Sequence, residues 1–115
     1  MPLHVTKIMS VDATSVATCS PWVAFNQYDT PFNVGFGGVI VSGGPVTWRV
    51  EHTFQNVLAA NVSAKNIYAF MHGEVTAAGT AADGNYAFPV GAARLVISGA
   101  VSGGTVQIDF RQSGV

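Results

Sequence analysis

The strictest constraint on this chain is an alternation near its C-terminus, where Val106, Ile108 and Phe110 take every second position between Thr105, Gln107, Asp109 and Arg111. A repeat of two sends apolar side chains to one face of an extended chain and polar ones to the other. This segment is therefore expected to be a strand with one face buried. Upstream, Leu95, Ile97 and Val101 share one parity and Arg94, Val96 and Ser98 the other. Gly103 and Gly104 stand between the two halves and suit the positive-φ positions of a two-residue type I′ turn. The pairing this favours is a hairpin with Val101 opposite Val106, Ile97 opposite Phe110 and Ser98 opposite Asp109. A slip of one residue would set Ile97 against Asp109. Gly99 then faces Ile108, and its missing side chain marks a bulge or a close neighbouring backbone.

Further short strands precede this one. Residues 46–54 alternate, with Val46, Trp48, Val50 and His52 on one face and Thr47, Arg49, Glu51 and Thr53 on the other. Residues 32–41 contain Gly35, Gly37 and Gly38 among Val, Phe and Ile, so both faces are apolar or bare and the strand is expected to be covered on both sides. No helix pattern follows these glycines, which excludes a phosphate-binding loop. Ser42 to Pro45 reads as a turn that joins the two strands into a second hairpin. Residues 22–25 and 67–72 read as short extended runs, and 73–85 as a long loop with a turn at Asp83, Gly84 and Asn85. Several short strands with turn signals and almost no helix predict an all-β fold, an antiparallel β-sandwich or jelly-roll-like domain. It would span residues 21–115. Residues 1–20, rich in Thr, Ser and Val without caps or helical spacing, read as an extended N-terminal arm reaching onto a neighbour, dispensable for folding.

Charge limits the function. Only 10% of residues are charged while 49% are hydrophobic, against about 25% charged in an ordinary soluble domain. Such a surface favours association, so the chain is expected to work covered by copies of itself or by a larger assembly. Its five basic residues, Lys7, Arg49, Lys65, Arg94 and Arg111, are scattered singly and the net charge is −1, which argues against a nucleic-acid partner. No stretch approaches the length of a membrane span, and no secretory signal opens the chain.

Candidate chemistry is sparse. Glu51 and His52 are neighbours on a strand and point to opposite faces, so they cannot act as an acid–base pair. His52 and His72 could meet across strands, but two histidines without a third ligand make a weak metal site. Cys19 has no His or Lys beside it to activate a thiolate and reads as a small buried hydrophobe. The residues imply no catalytic set, cofactor or metal. What remains are contact candidates: Arg94, Ser98, Asp109 and Arg111 on the outer face of the hairpin, with Asp109 and Arg111 sharing an ion pair, and Trp22, Tyr28, Tyr68 and Tyr86 as platforms for sugar rings.

Three segments taken in order, residues 46–53 (VTWRVEHT), 85–97 (NYAFPVGAARLVI) and 102–114 (SGGTVQIDFRQSG), resemble small structural proteins of tailed bacteriophages. The shared pattern departs here at Gly104, Ile97 and Ile108. The resemblance implies a virion component with no enzymatic role, a head decoration or cement protein acting on the capsid as a homo-oligomer. A trimer would suit three-fold capsid positions. Its partners would be itself and the major capsid or other virion proteins. The alternative it leaves open is a collar, tail or fibre component with a carbohydrate-binding role.

Overall fold

The computed structural model describes residues 3–11, 18–26, 32–43, 45–57, 67–100 and 104–112. In chain order the strands are β1 (Leu3–Val11), β2 (Thr18–Cys19), β3 (Val23–Ala24), β4 (Val34–Gly43), β5 (Val46–Thr53), β6 (Phe70–Met71), β7 (Ala82–Tyr86), β8 (Ala92–Ala100) and β9 (Gly104–Gln112). One antiparallel sheet has the order β1-β9-β4-β7. The other has the order β2-β8-β5-β6, with β3 also on β8. The two pack face to face, giving the expected antiparallel β-sandwich. Val46, Trp48 and Val50 of β5, Leu95 and Ile97 of β8, and Val106, Ile108 and Phe110 of β9 are all buried in the shared core. The alternation in each segment therefore names the inward residues correctly.

The pairing differs from the expectation. β8 and β9 lie in different sheets, so Ile97 pairs with Trp48 rather than Phe110, and Val106 with Met9 and Ile40 rather than Val101. The hairpin expected between residues 32–41 and 46–54 is likewise absent, because β4 joins the first sheet and β5 the second. The physical reason is the same at both places. A strand with one buried face carries the same alternation whether the next strand lies beside it or across the core, so the period states which side chains turn inward and not which neighbour they meet.

What replaces the hairpins is one ribbon folded over a corner. β4 pairs with β9 down to Gly43 opposite Gly104, and β5 pairs with β8 from Val46 opposite Ala100 onward, the pairing shifting by one residue between the two sheets. Two glycines make the corner possible. Gly43 has φ 98°, the left-handed region that favours glycine, and a Cβ on Gly104 would run into the Val46 side chain. Two bulges also interrupt the ribbon. One leaves Val41 unpaired between Ile40 and Ser42, and the other leaves Ser98 unpaired between Ile97 and Gly99. The irregularity anticipated at Gly99 is thus present, but opposite Thr47.

Four further expectations are corrected. Residues 3–11 are no free arm: β1 pairs antiparallel with β9 along its whole length, and Val5 packs against the core. Unpaired N–H and C=O groups along β9 make a ready template for the chain's own extended segment. Asp83, Gly84 and Asn85 form the middle of β7, not a turn. A side chain at Gly84 would press on Phe36 and His72, so this turn-prone residue serves a close strand crossing. Cys19 is exposed, on the outer strand β2. In β4 the inward Val34, Phe36 and Gly38 are buried, but the outer face is open, with Val39 and Val41 exposed.

Candidate functional site

The candidate contact residues divide between the two outer faces of the sandwich. Arg94 and Ser98 belong to β8 in one sheet, Asp109 and Arg111 to β9 in the other, so the single contact surface expected from the hairpin does not exist.

On the β8 side, register sets Glu51 opposite Arg94. Arg94 donates from Nε and Nη2 to Glu51 Oε1 at 3.1 and 2.8 Å, and Arg49 donates from Nε to Oε2 at 2.8 Å. Burial acts to raise the Glu51 carboxyl, but the hydrogen bonds and charges of Arg94 and Arg49 outweigh it and hold the group below its ordinary value. The Arg94 guanidinium also lies 4.4 Å from the centre of the Trp22 ring. A proposed contact residue and a proposed sugar platform therefore lie against each other. Ser98, extruded by its bulge, donates from Oγ to the Thr47 carbonyl at 3.3 Å.

On the β9 side, Asp109 accepts from the Thr6 hydroxyl and lies 3.3 Å from His4 Nε2, both on β1. The Thr6 hydrogen bond, aided by His4, lowers its carboxyl despite the opposing effect of burial. The expected Asp109–Arg111 pair is not among the ion pairs of the described residues. Arg111 instead borders, with His4 and Asp109, a groove of about 400 Å³ over Gly35, Phe36 and Gly37.

The third place is one end of the sandwich, built from aromatic rings. His52 points inward and its Nδ1 is 2.9 Å from the Tyr86 hydroxyl, which is fully buried. Burial, with repulsion from His72, lowers the His52 imidazole, and burial raises the Tyr86 phenol, so both stay neutral. His72 Nδ1 accepts from the backbone N–H groups of Glu74 and Val75 at 3.2 Å each, which places its ring proton on Nε2, and Nε2 donates to the Asn85 carbonyl at 3.0 Å. Both histidines are thereby engaged in hydrogen bonds within the chain, and no group of three His, Cys, Asp or Glu that could hold a metal exists among the described residues.

Over His52 sit Phe54, Phe70 and Phe88, with ring centres 5.4, 5.9 and 5.9 Å from it. These three remain 52%, 51% and 49% exposed, and neighbouring Tyr68 is 75% exposed. Sequence reading missed them because each lies at or beyond a strand end, where alternation no longer applies. Three pairs of rings each two residues apart, at 52 and 54, 68 and 70, and 86 and 88, are the signal that could have found them. Of the sugar-platform candidates, Tyr86 is buried and Trp22 is covered by Arg94. Tyr68 is exposed, and Tyr28 lies outside the described residues.

No family model matches the sequence, and no curated protein does. Among solved structures the chain is similar to one from the Bacillus endospore appendages, which form a family of disulfide-linked pili. The identity is 11% and the TM-score 0.40, over 99% of this chain and 89% of that one.

Proposed function

We propose that the chain is a structural protein of a bacteriophage particle, a head decoration or cement protein that works by assembly and carries out no reaction. The aromatic end supports this reading. Phe54, Phe70 and Phe88 form an uncharged patch at one end of the sandwich, beside a buried platform of His52, Tyr86 and His72, and the exposed Tyr68, two residues before Phe70 in the chain, is counted with them. At about 200 Å² per aromatic side chain the patch offers on the order of 450 Å². Covering it is worth about 10 kcal/mol before association costs of similar size are subtracted. One such contact binds weakly, while many copies on a repeating lattice hold it firmly. The resemblance of residues 46–53, 85–97 and 102–114 to phage structural proteins points the same way.

Quantitative mass spectrometry of purified virions tests this reading. Copies on the order of hundreds per particle are expected of a head protein, and about six to eighteen of a ring in collar or tail. A Phe54→Ser/Phe88→Ser variant that stays folded should lose occupancy. Absence of the chain from particles would overturn the proposal. The second reading, a tail or fibre component that binds carbohydrate, now rests on Tyr68 alone of the described platforms. Host-polysaccharide arrays probed with wild type and Tyr68→Ala would support it by Tyr68-dependent binding.

A further inference from the structure

The outer face of the β1-β9-β4-β7 sheet carries a groove that no contact inside the chain accounts for. Its floor is Gly35 and Gly37, on a strand held between β9 and β7. Four other glycines have internal reasons: a Cβ would collide with Trp48 at Gly38, with Phe36 at Gly84, with the Gln55 carbonyl at Gly91 and with Val46 at Gly104. At Gly35 a Cβ would meet nothing within 4 Å, and at Gly37 only Asp83 Cβ at an ordinary 3.8 Å. Neither has a positive φ. Two outward glycines in the middle of a strand weaken it, and nothing within the described chain offsets that loss. A bare floor of this kind serves the close approach of something from outside.

The walls identify the visitor. Arg111 stands level with Gly35 on the β9 side, and Asp83 level with Gly37 on the β7 side. Asp109 is already held by Thr6 and His4, whereas Arg111 and Asp83 take part in none of the ion pairs among the described residues. Spaces of about 400 and 310 Å³ on the two sides meet at Gly37. Exposed Ile8 and Val39, which flank Gln107 in adjacent strands, extend the same face with apolar surface. A ligand of one charge would meet Arg111 and Asp83 with opposite sign, the Asp109 carboxylate beside Arg111 being bound to Thr6 and close to His4. A second copy turned by a two-fold axis finds both satisfied, because an isologous contact brings each wall against its opposite.

We propose that this groove is a two-fold interface between copies of the chain, with Arg111 of each protomer on Asp83 of the other. The bare Gly35 and Gly37 then let the two sheets come closer than the usual ~10 Å between packed sheets. The inference rests on the reading of the chain as one that works by assembling, but concerns a different surface from the aromatic end.

Sedimentation equilibrium of the full chain tests it, with thermal melts to verify folding. Wild type should form a dimer that weakens as salt rises. Arg111→Asp and Asp83→Arg should each weaken dimerisation by about tenfold or more, and the double variant should restore it by exchanging the charges. Gly37→Val should abolish the dimer while leaving the melting temperature equal or higher at dilutions where wild type is also monomeric. A monomeric wild type overturns the inference, as does a dimer indifferent to these changes or a double variant that is not rescued. A monomeric wild type that still occupies particles would sink this interface and leave the proposed function standing.

Discussion

Gly38 and Gly35 differ by three positions in one strand, yet they are glycines for opposite reasons. The Gly38 α-carbon faces the fully buried Trp48 ring, whose Nε1 is tied to the Thr80 carbonyl at 3.2 Å, so the ring cannot retreat. Gly38→Ala should cost about 1–3 kcal/mol, the usual range for overpacking a core, while Gly35→Ala should be neutral or stabilising, since it restricts the unfolded chain without a clash. Urea unfolding of the two variants checks this, and equal losses at both sites would contradict it. In the sequence the two residues look alike. Nothing in the local string says that a tryptophan ten residues onward lies under one of them, because that crossing depends on the ribbon's corner.

At the scale of strands, the corner explains most of the difference between expectation and structure. The strands at residues 32–41, 46–54 and in the C-terminal segment were legible because alternation and β-branched residues are local properties. Their partners were not, since both expected hairpins follow from turn chemistry that a change of sheet uses equally well. β7 was hidden for a related reason: Asp83, Gly84 and Asn85 are turn formers by propensity, and the bare Gly84 above Phe36 and His72 is what makes a strand of them. The extended form of β1 is legible in the sequence, but its place on β9 is not. Deleting residues 1–11 should therefore uncover the edge of β9, remove Val5 from the core and strip Thr6 and His4 from Asp109. Loss of a cooperative melt, or aggregation, is the expected outcome by circular dichroism. A truncated chain that melts like wild type would show that β1 is dispensable to the sandwich.

Across the whole molecule, acid should act in two stages. The His52 imidazole is held below 6.5 by burial and by His72, so as pH falls below about 6.5 the unfolded chain takes up its proton first and stability begins to decline. Glu51 and Asp109, lowered from 4.5 and 3.8 on opposite outer faces, contribute stability that is complete above those values and is lost as pH falls through the folded ones. Melting temperature should thus be level between about pH 7 and 9, drop below 6.5 and drop again below 4.5, with the raised Tyr86 phenol bringing a separate decline above about pH 10. His52→Phe should remove the first step, and a flat profile from pH 7 to 5 in wild type would contradict the assignment. The same scale separates what each level of description could know. Period-two alternation, scarce charge and scattered glycines were enough to establish an all-β sandwich, its inward residues and a surface short of charge, because each depends on residues close together in the chain or on their totals. Which strands pair, which glycines are needed inside, and that Phe54, Phe70 and Phe88 gather at one end while Arg111 and Asp83 stand on opposite sides of the bare Gly35 and Gly37 were decided only by the folding of the ribbon between sheets. These relations join residues far apart in the chain, and no local pattern carries them.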